Sequence, residues 1–230
     1  DGMGGHAAGE VASGLAVETL AKWVKKNPIS ELSPEVIENA FAEASHAIWE
    51  FAQANPERRG MGTTLTAALI QGTKALIGHV GDTRSYLLRN KELRQLTRDH
   101  TLVAEQIRLG KITPLEARKH PMRHILSRAM GVREFAEIDT LLLDLSPGDI
   151  LLFCSDGVYG ALSDERIREI LLQEPFQDVG RRVVLEAVST SGDDNTSVVV
   201  VRVGELPVSF PGWFSPGRIR AWLQSWFQSR

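Results

Sequence analysis

Apolar positions along the chain change their period several times, and each change marks an element. Val11, Leu15, Leu20 and Val24 fall near one face of a helix over residues 7–27, which Lys25-Lys26-Asn27-Pro28 closes. Ser33 caps and Pro34 opens a second helix with the stripe Val36, Ile37, Phe41, Ala44, Ile48 and Phe51, ending near Asn55-Pro56. Short β-rich runs follow at 62–70, 74–80, 84–90 and 93–97. With Arg89-Asn90-Lys91-Glu92 as a hairpin turn, they predict an antiparallel meander. Residues 101–131 interrupt it with two short helices, 101–109 and 113–120, separated at Gly110. This insertion is polar and rich in Arg and His, a texture more often functional than connective.

Strands return at 135–145 and 149–155 around the turn Ser146-Pro147-Gly148-Asp149. Helices are expected at about 163–173 and 175–190, and a Val-rich last strand, 196–203, reads as buried on both faces. No internal repeat is present. The order predicts an α/β sandwich of largely antiparallel sheets covered by helices. The tail, 205–230, differs from everything before it. Ile219, Trp222, Leu223, Trp226 and Phe227 share one helical face, Arg218, Arg220 and Arg230 accompany them, and no acid follows Glu205. It reads either as a helix packing back on its own domain or as a basic amphipathic helix, 218–230, for a membrane surface or a partner groove.

Composition narrows the classes. An apolar fraction of 43% over 230 residues supports one large domain with a proper core. A net charge of −3 gives no electrostatic support to a nucleic-acid partner. The single cysteine, Cys154, excludes an internal disulfide and a cysteine zinc cluster, and reads as a small core residue. No apolar run reaches membrane-spanning length and no secretory signal opens the sequence, so the expected location is cytoplasmic, peripheral at the membrane if the tail docks there. Opening on a carboxylate, the sequence is expected to be preceded by a strand that delivers Asp1.

The candidate chemistry lies in four acidic turns: Asp1-Gly2-Met3-Gly4-Gly5-His6, Gly81-Asp82-Thr83-Arg84, Ser155-Asp156-Gly157 and Gly192-Asp193-Asp194-Asn195-Thr196. Each sits at the end of an expected element, where side chains from different strands can converge. Converging carboxylates repel unless a cation lies among them, and all-oxygen ligands favour hard ions such as Mg²⁺ or Mn²⁺. Two such ions ~3.5–4 Å apart can activate a water and clamp a phosphoryl group, without a serine or cysteine nucleophile. Any one of these turns is common; the four in order read as a ligand set.

Other residues carry weaker signals. His120 and His124 could share a helix face, but a zinc site would need a third ligand and a base that the sequence does not place nearby. Arg98, Arg118, Arg123 and Arg128 gather around the insertion, where one of them could meet a phosphate. Arg84 is the better candidate for a structural ion pair beside the Asp82 turn.

The chain resembles the metal-dependent protein phosphatases of the 2C type in their bacterial form. The matching residues are the Asp1–His6 segment, Gly62-Thr63-Thr64, His79-Val80-Gly81-Asp82-Thr83-Arg84, Leu96-Thr97-Arg98-Asp99-His100-Thr101, Gly148-Asp149-Ile150-Leu151-Leu152, Cys154-Ser155-Asp156-Gly157 and Asp193-Asp194-Asn195-Thr196. The resemblance implies a four-layer α-β-β-α sandwich with a centre of two or three Mn²⁺ or Mg²⁺ ions. In it Asp1 bridges two ions, the Gly2 carbonyl binds one, Asp156 and Asp194 complete the other, and Asp82 holds a third with Asp156 shared. Asp1, Asp156 and Asp194 would carry catalysis, and residues 101–131, with Arg118, His120 and Arg123, would be a flap affecting substrate choice. The implied organisation is a catalytic domain over 1–204 and a tail over 205–230.

The family's first motif, with a phosphate-binding arginine and an acidic ligand, is not in this sequence. Some members carry a histidine directly after Asp-Gly; here Met3 stands there, which leaves His6 as the candidate proton donor. The implied reaction is hydrolysis of phosphoserine and phosphothreonine in proteins by a metal-activated water, opposite a serine/threonine kinase. The alternative is a pseudophosphatase that binds phosphoproteins without turnover, against which stand the intact Asp1, Asp82, Asp156 and Asp194.

Overall fold

A computed structural model describes residues 1–192 and 194–205, with the side chains of all but His6 and Arg118. The tail proposed as a docking helix lies outside the described residues. After the short strand β1 (Gly2–Met3) come the long helices α1 (His6–Lys26) and α2 (Pro34–Ala54). Ile37, Phe41, Ala44 and Ile48 form the buried line of α2, as the periodicity predicts. On α1 the buried line is Ala8, Ala12 and Ala16, while Val11, Leu15 and Leu20 pack around its margin. Small side chains at the centre of that face let α1 approach its neighbours closely. A Cβ on Gly9 would lie 2.5 Å from the Gly2 carbonyl oxygen, so β1 passes directly over the first turns of α1.

The expected strand over 62–70 is broken at Thr64 into β2 (Gly62–Thr63), which pairs with β1, and β3 (Leu65–Gln71). β4 (Lys74–Val80), β5 (Arg84–Arg89) and β6 (Glu92–Gln95) follow. They do not form one meander. β3 and β4 join β7 (Asp139–Asp144) in one sheet of order β3-β4-β7. β5 and β6 join β8 (Ile150–Cys154) and β9 (Val198–Arg202) in a second of order β6-β5-β8-β9. Pairing is antiparallel throughout. The chain changes sheets between Val80 and Arg84, where Gly81 at φ 109 makes the corner. The β5–β6 turn is made by Asn90 and Lys91, both left-handed at φ 52 and 65, the geometry that matches strand twist in a two-residue hairpin.

Alternate positions along each strand serve different layers. Leu76 and Val80 of β4 pack under α1 and α2 with Phe41 and Ile48. Ala75, Leu87, Leu143 and Leu151 meet between the two sheets. Tyr86, Leu88, Ile150, Leu152 and Cys154 face the other helical layer. That layer is α5 (Asp156–Tyr159), α6 (Asp164–Leu171) and α7 (Val179–Thr190), of which α5 has no counterpart in the sequence reading. The result is the four-layer α-β-β-α sandwich. β9 is not buried on both faces: it is an edge strand among the described residues, with Val199 59% exposed. The insertion between β6 and β7 carries α3 (Leu102–Arg108) and α4 (Pro114–Arg118), the latter opened by a capping box between Thr113 and Glu116.

Candidate metal centre

The strand ends carry the acids to one end of the sandwich. β8 runs through Ser155 into α5, whose first residue is Asp156. Asp194 precedes β9, which pairs with β8. Asp82 occupies the link on which the chain changes sheets, and Asp1 precedes β1. A concavity of about 350 Å³ lined by Leu88, Lys91, Ile150, Leu171 and Arg202 lies at the opposite ends of β5, β8 and β9 and contains none of these carboxylates.

Local contacts hold the four turns together. The Asp1 carbonyl accepts from Thr63 Oγ1 and from the Thr64 N–H, both at 3.0 Å. Thr64 Oγ1 in turn meets the Thr83 hydroxyl, beside Asp82. A Cβ on Gly81 would lie 2.4 Å from Thr64 Cγ2, so the corner can only be glycine. Gly157 faces the Asn195 carbonyl oxygen in the same way, at 2.5 Å from a Cβ, which sets Asp156 beside the loop of Asp194.

The electrostatics agree with convergence. Burial, then the charges of Asp156 and Asp99, push Asp82 up to about 6. Burial and the charge of Asp194 raise Asp156. Burial lowers the pKa of the Asp1 α-amino group, while Asp82, Asp156 and Asp194 all act on it in the opposite sense. Burial and repulsion by neighbouring carboxylates thus raise both Asp82 and Asp156, and the donors at this end are all oxygen, the set hard divalent cations take. Among the described residues no three His, Cys, Asp or Glu side chains stand close enough to hold an ion alone. The residues present still fit a hydrated cation centre.

A polar network supports Asp82 from beneath. Arg84 binds Asp99 through two bonds, Nε to Oδ1 at 2.9 Å and Nη2 to Oδ2 at 2.7 Å. Burial opposes the guanidinium charge, but Asp99 more than offsets this and raises its pKa. The expected structural ion pair of Arg84 is thus present. Its guanidinium lies 3.6 Å from the centre of the Tyr159 ring. His100 grips the neighbouring residue twice: its N–H donates to the Gly81 carbonyl at 2.7 Å, and its Nδ1 accepts from the Gly81 N–H at 3.2 Å. Asp99 and His100 stand in the Leu96–Thr101 motif, yet spacing alone assigns them no role; Tyr159 and Ser155 carry no sequence signal of their contacts.

The same histidine closes the foot of the insertion. The His100 carbonyl accepts from the Ser127 N–H at 2.9 Å, and Met130 bridges to Thr63 of β2. Several arginines in and beside the insertion are engaged: Arg98 and Arg108 bind Glu105, and Arg128 binds Asp139 and Glu137. Arg123 is exposed and forms no ion pair among the described residues. His124 is exposed, and its ring is near enough to act electrostatically on Asp156. His120 and His124 do not share a helix face, because α4 ends at Arg118 and His120 Nδ1 accepts from the Met122 N–H in the following turn. The side chains of His6 and Arg118 lie outside what is described. Cys154 is buried, and burial pushes its thiol up to about 12, so it is a core residue and no nucleophile.

A sandwich of this architecture with oxygen donors from four segments at one end defines a metal-dependent hydrolase. The protein phosphatase 2C model matches residues 1–195, and the chain belongs to that family. The serine/threonine phosphatase stp of Listeria monocytogenes is 40% identical over 207 residues, covering 87% of this chain and 81% of that protein. PstP of Mycobacterium tuberculosis is 40% identical over 203 residues, 88% of this chain and 39% of that longer protein. A crystal structure of PstP superimposes with a TM-score of 0.83 at 38% identity, covering 89% of this chain and 86% of that one. The PstP catalytic domain in complex with two manganese ions gives 0.81 at the same identity and coverage. No helix among the described residues is long and apolar enough to cross a membrane.

Proposed function

We propose that this protein is a metal-dependent serine/threonine phosphoprotein phosphatase. The convergence of Asp1, Asp82, Asp156 and Asp194 at one end of the sandwich carries this reading. Its relatives are named as serine/threonine phosphatases, and one of them binds two manganese ions. The bound ions, Mn²⁺ or Mg²⁺, supply a nucleophilic water at neutral pH and positive charge for the phosphoryl oxygens. Asp1, the Gly2 carbonyl, Asp156 and Asp194 would hold two of them, and Asp82 with Asp156 a third. The carboxylates would hold the ions from turns at or near element ends, and the ions would supply charge to the phosphoryl group.

Arg123, exposed and without an ion pair among the described residues, is the flap residue proposed to meet the phosphopeptide, with Arg118 and His120 on the same segment. The substrates are phosphorylated proteins, and a serine/threonine kinase acting on the same proteins is the natural opposite activity. His6 at the start of α1 remains the proposed proton donor. The test is phosphate release from a phosphothreonine peptide by the full-length protein with Mn²⁺, with EDTA, and for Asp156→Asn. Turnover that requires both metal and Asp156 supports the reading. Metal binding without turnover in the wild type would replace it with a phosphoprotein-binding role.

A further inference from the structure

Tyr159 ends α5, the single turn that begins with Asp156. Its hydroxyl donates to the main-chain carbonyl of Asp82 at 3.0 Å, across 77 residues of sequence. One side chain thus ties the element that carries Asp156 to the link that carries Asp82. The ring cannot swing away, because the Arg84 guanidinium lies 3.6 Å from its centre and is itself held by both Asp99 oxygens. The link has a second anchor on its other side, the two-bond grip of His100 on Gly81. Gly81 is left-handed at φ 109, and Asp82 is only 7% exposed. The carboxylate of Asp82 therefore has little freedom of its own, and its distance from Asp156 follows the main chain.

We propose that Tyr159 is a positioning residue that sets the separation of Asp82 from Asp156 and so tunes the affinity of the cation site those two carboxylates share. The proposal rests on the reading of the acidic turns as a metal centre. Hydrogen-bond partners behind first ligands typically change metal affinity about 10–100-fold when removed. Tyr159 acts on the main chain of the ligand, which shifts the carboxylate bodily without changing its chemistry. The Asp1, Asp156 and Asp194 arrangement does not depend on the hydroxyl, because it is held by Thr63, Thr64 and Ser155.

Tyr159→Phe tests this, since it keeps the ring on Arg84 and deletes only the hydroxyl. Calorimetric Mn²⁺ titration of the metal-stripped full-length protein would compare wild type, Tyr159→Phe, Asp82→Asn and Asp194→Asn, with apo-protein Tm measured for each. The expected result is that Tyr159→Phe weakens, by about tenfold, the binding event that Asp82→Asn abolishes. The event lost in Asp194→Asn should stay within about twofold, a difference of roughly 0.4 kcal/mol, and apo Tm should hardly move. If Asp82→Asn abolishes an event that Tyr159→Phe leaves intact, the role given to Tyr159 is wrong and the metal centre stands. If neither aspartate variant alters the isotherm, the metal-centre reading itself is wrong. A uniform weakening of all events with a lower apo Tm would make Tyr159 a general prop and also overturn the proposal.

Discussion

Ser155 and Ser197 close a two-way hydrogen-bonded link between the turn of Asp156 and the loop of Asp194. The Ser155 N–H donates to the Ser197 carbonyl at 3.1 Å, and the Ser197 N–H donates to Ser155 Oγ at 3.0 Å. The same hydroxyl donates to the Asn195 carbonyl at 3.2 Å. Ser155→Ala deletes the two hydrogen bonds that its hydroxyl makes to the Asn195 carbonyl and the Ser197 N–H, at a cost of about 1–2 kcal/mol. Urea denaturation should show that loss, and phosphatase assays should need more Mn²⁺ to reach half-maximal rate.

Gly157 offers a sharper test of the same junction. In Gly157→Ala the new Cβ would stand 2.5 Å from a backbone oxygen of Asn195 and 2.9 Å from Thr196 Oγ1. Backbone cannot yield as a side-chain end can, so the Asp194 loop must move. Displacement on the scale of an ångström lowers kcat on the order of 10–100-fold. Gly180→Ala in α7 is the control, because its Cβ would meet Val198 at an ordinary 3.6 Å. It should keep full activity and gain about 0.5–1 kcal/mol from helix propensity.

Arg84 and Asp99 are 22% and 17% exposed at the side chain, so their pairing is partly desolvated. Arg84→Lys keeps the charge but loses the bidentate geometry and the flat contact with Tyr159. A loss of about 1–2 kcal/mol in unfolding free energy is expected, because the ion pair survives and only its two-bond geometry and the ring contact are lost. The Asp99→Asn double mutant should lose less than the sum of the two single changes, measured in one denaturant series.

His79 makes stability fall on the acid side. Burial, and next the neighbouring His100 ring 4.7 Å away, lower its pKa from 6.5 to about 4. Its Nε2–H donates to the Arg98 carbonyl at 3.0 Å, so Nδ1 accepts from Thr66 at 2.8 Å in the neutral ring. Above the unfolded value both states hold a neutral ring. Between 6.5 and about 4 the unfolded chain binds a proton that the folded ring refuses. Stability therefore drops as pH falls through that window, by up to about 3 kcal/mol for this one group. His79→Gln should be less stable at pH 7 yet show a flatter dependence between pH 7 and 4, read by chemical denaturation at each pH.

Much of this molecule was legible from residue patterns. Helix ends at Ser33-Pro34 and Asn55 were legible because proline at the first turn and asparagine at the last act locally, although Ser33 makes no side-chain cap bond. The four carboxylates were legible as a set because each lies in a turn at an element end. The α1 face misled, since alanines at 8, 12 and 16 look neutral in sequence, and only close packing against α2 and β1 reveals them as the centre of the contact. The division of the meander into two sheets was equally hidden, because strand period and turn spacing are the same whether a neighbour pairs or departs.

The sequence by itself determined the kinds of elements, the turns between them and the oxygen chemistry available at their ends. These depend on period, propensity and side-chain type, all properties of short stretches. Only the tertiary structure decided which strand lies beside which, and hence that Asp82 and Asp156 are withdrawn from water close enough to other carboxylates for each to be raised. It alone decided that Tyr159 reaches Asp82 and that His100 holds Gly81, since hydrogen bonds between residues 77 and 19 positions apart depend on distances that spacing along a chain does not contain.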